Sequence, residues 1–126
     1  MSDKRTILVV EDEALLRIVV VEILQEAGYA VLQAPDGASG CEIMKTGAPI
    51  DLLISDIKMP GMSGYDVARE GLQMKPELRV MLMTGYAQEP LPDNMRNSGI
   101  EVIHKPFDFD EFVRRVHRKL EAAGGA

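Results

Sequence analysis

Short apolar runs alternate along this chain with longer stretches whose apolar positions recur at helical spacing. The first run, about Thr6–Val10, is followed by a helical pattern from about Glu13 to Ala27 that Gly28 closes. Tyr29–Ala34 predicts a second strand, and Asp36 can cap a helix running to about Thr46, with Gly47 at its end. Leu52–Ser55 predicts the third strand; Ser63 can cap the next helix, which must end before Pro76. Arg79–Met83 and Glu101–His104 predict strands four and five. Between them Pro90 and Pro92 leave only a short helix at about Asp93–Ser98, expected to be the least stable element. Asp108 then caps a final helix to about Ala122.

Short apolar runs bounded by turn residues read as buried strands of a parallel sheet. Strict βα alternation with short connections predicts an α/β fold, a five-stranded parallel sheet with helices on both faces. Right-handed crossovers favour a doubly wound, flavodoxin-like strand order, 2-1-3-4-5.

With 126 residues, 46% of them hydrophobic and 27% charged, residues 1–126 fit one domain with its own core. The net charge of −6 excludes an electrostatic nucleic-acid binder, which needs a basic face. Cys41 has no partner for an internal disulfide and reads as a small buried helix residue suited to a reducing cytoplasm. Met1–Arg5 leads into only four apolar residues before Glu11, which is the pattern of neither a signal peptide nor a membrane span. A cytoplasmic protein is expected.

The chemistry gathers where the strands end. Ile7–Val10 runs into Glu11-Asp12-Glu13, Leu52–Ser55 into Asp56, Val80–Met83 into Thr84, and Val102–His104 into Lys105-Pro106. In an open α/β sheet, ligands sit beyond the carboxyl ends of the strands, near the point where strand order reverses. Each motif alone is unremarkable, and Glu13 is accounted for by the helix start it precedes. Together they are not. Two carboxylates about 5 Å apart at an effective dielectric near 20 repel by roughly 3 kcal/mol. Three of them need a cation or a retained proton, and Lys105 offsets only part of the repulsion. Hard oxygen ligands suit Mg²⁺, with Mn²⁺ as a substitute. An aspartate beside a divalent cation, a lysine and a hydroxyl can accept a phosphoryl group on its carboxylate oxygen.

Glu11-Asp12, Asp56 with Met59-Pro60-Gly61-Met62-Ser63-Gly64, Thr84 and Lys105-Pro106-Phe107 stand in the order and strand positions of a known family. The chain resembles a response-regulator receiver domain of bacterial two-component signalling, over essentially its whole length. The resemblance implies that Asp56 is the phosphoacceptor, that Glu11 and Asp12 help bind Mg²⁺, and that the Lys58 backbone carbonyl completes the protein ligands. It implies that Thr84 and Lys105 relay the phosphorylated state, and that the Lys105–Pro106 bond is cis. The donor would be a histidine kinase or a histidine phosphotransfer protein, and phosphorylation would shift a conformational equilibrium toward an unknown downstream protein. Such a domain is no enzyme in the ordinary sense, although it assists its own phosphorylation and dephosphorylation. A stand-alone regulator is expected.

One departure concerns the aromatic residue the family usually carries three positions before its lysine. Val102 stands there, and Tyr86, two residues after Thr84, could take part of its role. Lys58 and Tyr86 can also flank the phosphoryl group and exclude hydrolytic water, so both are expected to modulate its lifetime. On the first helix, projection at 100° per residue puts Leu16, Val20, Ile23, Leu24 and Ala27 on the core side. Leu15, Ile18 and Val21 fall outward as a face for partner docking. His104 at a strand end and His117 on an exposed helix face have no second ligand at metal spacing, and the eight methionines read as core filler.

Two other functions compete. A flavodoxin-like cofactor-binding module needs a Ser/Thr/Gly-rich phosphate loop after strand one, where Glu11-Asp12-Glu13 would instead repel a phosphate. A hydrolase working through an aspartyl phosphate would need a substrate cap, for which the chain has no room, and a second catalytic acid near Asp56.

Overall fold

The computed structural model describes residues 4–85 and 99–124. Its elements are β1 (Thr6–Val10), α1 (Ala14–Glu26), β2 (Ala30–Ala34), α2 (Gly37–Lys45) and β3 (Leu52–Asp56), then α3 (Gly64–Met74), β4 (Arg79–Thr84), β5 (Glu101–His104) and α4 (Phe109–Gly124). All strand pairings are parallel, in the order β2-β1-β3-β4-β5. The expected helix at Asp93–Ser98, its flanking prolines and Tyr86 lie outside the described residues.

Alternation along the strands divides the core in two. Ile7, Val9, Leu52, Ile54, Met81, Met83 and Ile103 face α1 and α4, where they meet Val20, Leu24, Phe112, Val116 and Leu120. Leu8, Val10, Leu53, Val80 and Leu82 face the other way, onto Cys41, Val67 and Ala68 of α2 and α3. Strands buried on both faces have no polar side to alternate, which is why they read as continuous apolar runs.

Local chemistry sets the helix ends. Asp36 caps α2 by accepting from the Ser39 N–H at 2.8 Å, and Ser63 and Asp66 form a reciprocal capping box at α3. Asp108 takes the Asp110 and Glu111 N–H groups at the start of α4. Arg115 latches α4 onto β5, donating to Glu101 Oε2 at 2.6 Å and to the Val102 carbonyl at 3.1 Å.

Two expectations need correction. Val21 is buried rather than outward. It lies on the flank of α1 that α4 covers, in one cluster with Phe112, Val116 and Leu120. The exposed apolar residue beside Leu15 and Ile18 is instead Val19. His117 is half-buried rather than on an open face, since its Nδ1 pairs with the Tyr29 hydroxyl and the two rings sit 5.3 Å apart. Cys41 is buried on α2, as expected. Met81 and Met83 are fully buried and Met59 nearly so, whereas Met74 is 41% exposed. Among the described residues, no helix is long and apolar enough to cross a membrane.

Candidate functional site

The site forms where rows of core residues run out into polar ones. Glu11 follows Ile7 and Val9 on the same side of β1, Asp56 follows Leu52 and Ile54, and Lys105 follows Ile103. Thr84 ends the opposite row, after Val80 and Leu82. Asp56 and Thr84 are still strand residues, because Asp56 pairs with Met83 and Thr84 with His104. Their backbones are therefore fixed by the sheet rather than by a loop.

The three acids come together as the strand ends predict. One carboxylate oxygen from each of Glu11, Asp12 and Asp56 lies within 4.8 Å of the others. Glu11 is fully buried and Asp56 nearly so, while Asp12 is exposed to solvent. Lys105 Nζ bridges the two buried ones, 3.3 Å from Glu11 Oε1 and 3.2 Å from Asp56 Oδ1. The other Glu11 oxygen, Oε2, accepts the Glu13 N–H at 3.0 Å. Glu13 itself sits at the N-cap of α1 without a side-chain cap bond, so its backbone serves the site.

Titration behaviour follows from this crowding. Burial pushes the Glu11 carboxyl from its ordinary 4.5 up to about 7, the nearby Asp56 adding to the rise while the Glu13 N–H and Lys105 oppose it. Burial likewise raises the Asp56 carboxyl, against the pull of Lys105. Burial works to lower Lys105, but Asp56 and Glu11 outweigh it and hold the ammonium above its usual range. One ammonium thus serves two buried carboxylates, with a third acid at the rim. Such a donor set fits a small hard divalent cation, the choice of an all-oxygen site open to water.

The Lys105–Pro106 peptide is cis, as expected. Lys105 N–H donates to the Thr84 carbonyl at 2.7 Å, which places the root of the lysine beside the buried Thr84. On the other side, the Ile57 N–H donates to Met83 at 2.9 Å and the Gly64 N–H to the Ile57 carbonyl at 2.8 Å. Gly64 has to be glycine, since a Cβ there would collide with the Asp56 carbonyl. The loop between β3 and α3 is so held against the strand end that carries Asp56. Lys58 is exposed on that loop, and Val102 is half-buried against the α2–α3 side of the core.

Sequence reasoning overlooked the surroundings of Lys105. An apolar groove of about 450 Å³ runs beside it, lined by Leu16, Lys105, Pro106, Phe107 and Phe109. Leu15, 81% exposed, and Ile18, 48% exposed, lie on the same helix as Leu16. The two phenylalanines flanking Asp108 were the available signal, as large apolar residues in a turn next to the lysine. Arg17 was also overlooked; it reaches back from α1 to the Glu11 carbonyl at 2.8 Å.

The model of the response regulator receiver domain family matches residues 7–117. The chain is 36% identical over 120 residues to the response regulator receiver protein CpdR of Brucella abortus, spanning 94% of this chain and 99% of that protein. It is 31% identical to sporulation initiation phosphotransferase F of Bacillus subtilis, over 95% of each chain. Among solved structures, response regulator TrrA of Thermotoga maritima, held in complex with Mg²⁺ and a beryllium fluoride, superimposes with a TM-score of 0.75. That likeness covers 92% of this chain and 99% of the other at 35% identity. The chain belongs to the response-regulator receiver domains. It is a phosphoryl-accepting switch of two-component signalling, and the flavodoxin-like cofactor module is not favoured.

Proposed function

We propose that Asp56 is the residue that takes the phosphoryl group, with Glu11 and Asp12 as its metal-binding companions and Thr84 and Lys105 as the groups that read the phosphorylated state. The observation that carries this is the Lys105 ammonium shared between Glu11 and Asp56, with the exposed Asp12 completing the acidic cluster. Glu11, Asp12, Asp56 and the Lys58 backbone carbonyl would hold Mg²⁺, with Mn²⁺ as a substitute. When bound, the ion supplies positive charge for the phosphoryl oxygens and the Asp56 carboxylate.

In the transfer, an oxygen of Asp56 forms a bond to phosphorus as the bond from phosphorus to the donor histidine nitrogen breaks. The nitrogen keeps that electron pair, and the product on this chain is an acyl phosphate. Lys105, already 3.2 Å from Asp56, can follow the negative charge onto the phosphoryl oxygens. Thr84 stands at the end of the neighbouring strand, where its hydroxyl can be drawn to the same group. Positioning and charge carry the reaction, with little need for acid–base machinery.

The donor is a histidine kinase or a histidine phosphotransfer protein, and the recipient of the signal is a further protein. Leu15 and Ile18, with Val19 replacing the buried Val21, give the donor an apolar strip on α1, bordered by the groove along Phe107 and Phe109. Exposed aliphatic residues beside an apolar groove suit a helical partner. Residues 1–126 are read as one receiver domain in the cytoplasm, similar to the Brucella protein over 99% of that protein's length. Lys58 and Tyr86 are read as modulators of the phosphoryl lifetime.

The assignment is tested by phosphorylating the protein with acetyl phosphate and Mg²⁺, reducing the acyl phosphate with borohydride, and mapping the product by peptide mass. Conversion of Asp56 alone is the expected result; modification at Asp12 or elsewhere in place of Asp56 would contradict it.

A further inference from the structure

Arg17 occupies an unusual place for a cation. It is the fourth residue of α1, a helix with no acidic side chain in its first turn and no side-chain cap at Glu13. A positive charge near a helix N-terminus opposes the helix dipole, so something other than the helix must account for it. Long helical side chains lean back toward the N-terminus, and Arg17 leans back onto the end of β1. Its Nη1 donates to the Glu11 carbonyl at 2.8 Å, and its Nε donates to Gln33 Oε1 on β2 at 3.1 Å.

The Glu11 backbone is thereby gripped on both sides. Its N–H donates to the Ala34 carbonyl at 3.1 Å, and its carbonyl takes the Arg17 guanidinium. Both restraints trace to β2, one directly and one through Gln33. The Glu11 Cα lies between them, and the gripped carbonyl belongs to the Glu11–Asp12 peptide, whose orientation sets how Glu11 turns inward to Lys105 while Asp12 turns outward to solvent. Asp12 is the exposed member of the acidic cluster and sits just past the last residue of β1, beyond the sheet that fixes Asp56.

We infer that Arg17 is a positioning residue for the divalent-cation site, acting through the Glu11 carbonyl and steadied by Gln33, and touching neither the cation nor the phosphoryl group. The inference rests on the reading of Glu11, Asp12 and Asp56 as the Mg²⁺ ligands. Partners that orient metal ligands typically change affinity by about 10–100-fold when lost. Arg17 orients a backbone rather than a ligand atom, so the lower end, about tenfold, is expected.

The experiment titrates Mg²⁺ alone into wild type, Arg17→Met, Arg17→Lys and Gln33→Leu, following the amide resonances of residues 11–13 and 56. Thermal midpoints and the rate of phosphorylation by acetyl phosphate against Mg²⁺ concentration accompany it. Arg17→Met should weaken Mg²⁺ about tenfold, with the rate recovering to near wild type at saturating Mg²⁺. Arg17→Lys, which keeps one donor for the carbonyl, should fall between, and Gln33→Leu, at an exposed position, should shift affinity in the same direction but less. If the Arg17 variants and Gln33→Leu all bind Mg²⁺ as wild type does, even with lowered thermal midpoints, Arg17 is only a structural clasp and the inference fails. If wild type itself shows no response to Mg²⁺, the cation site fails, and the inference with it.

Discussion

Lys105 Nζ lies 3.3 Å from Oε1 of Glu11, a fully buried carboxylate 94 positions earlier in the chain. This pair explains why Glu11 can be buried, and it makes the site sensitive to pH. Desolvation holds the Glu11 carboxyl at about 7 without a bound cation, against 4.5 in an exposed chain. Between those values the folded protein keeps a proton that the unfolded chain has released. Glu11 therefore contributes stability that is present below about 4.5 and lost as pH rises through about 7. Asp56, also raised, acts in the same direction. In chelator, the urea midpoint should fall between pH 5 and pH 8, and Glu11→Gln should flatten that slope. A midpoint rising over this window in wild type would contradict the electrostatic account.

Divalent binding should show the complementary dependence. A cation that needs the Glu11 carboxylate must displace its proton, so Mg²⁺ affinity should climb with pH, approaching about tenfold per unit below neutrality, and level off above about 7. Calorimetric titration at pH 5.5, 6.5 and 8 measures this directly. Equal affinity at all three values would remove Glu11 from the ligand set.

Ile18→Glu should separate docking from chemistry. The residue is 48% exposed on α1 and is not one of the acids that form the site. Phosphotransfer from the cognate kinase should fall at least tenfold, whereas acetyl phosphate should label the variant at the wild-type rate. Val21→Glu, by contrast, buries a charge against α4 and should destabilise the fold, lowering both together. Equal loss of both activities in Ile18→Glu, with a lowered thermal midpoint, would reduce the strip to a packing role.

Phosphoryl lifetime tests Lys58 and Tyr86. If their side chains obstruct the water that attacks phosphorus, Lys58→Asn and Tyr86→Ala should each decay faster than wild type, and the double variant fastest. A tenfold change corresponds to about 1.4 kcal/mol in the barrier, within reach of one displaced water. Unchanged or slower decay in both single variants would overturn the shielding argument.

Much of this was legible in the sequence because a parallel sheet buried on both faces leaves an unmistakable trace. Each of its strands is a short apolar run, and crossover handedness then leaves few strand orders. The site was legible for a related reason: Asp56, Thr84 and Lys105 each close an apolar run, and the sheet aligns those ends without needing loop geometry. What escaped was set by neighbours distant in sequence. Projection of α1 as an isolated cylinder turned Val21 outward, because nothing local reveals that α4 wraps that flank. His117 was placed on an open face because its partner, Tyr29, lies 88 positions away. Nothing in the sequence singles out Arg17, its contact with the Glu11 carbonyl being a property of how α1 packs against β1.

The central claim, a phosphoryl acceptor at Asp56 served by a divalent cation and Lys105, is tested most directly by intact mass after incubation with acetyl phosphate and Mg²⁺. Wild type should gain the mass of a single phosphoryl group, and lose it on standing as the acyl phosphate hydrolyses. Asp56→Asn, or wild type in excess chelator, should gain none, and Lys105→Ala should hydrolyse or acquire the group with altered kinetics while still gaining it. A phosphoadduct of undiminished yield in Asp56→Asn, or in chelator, would contradict the account.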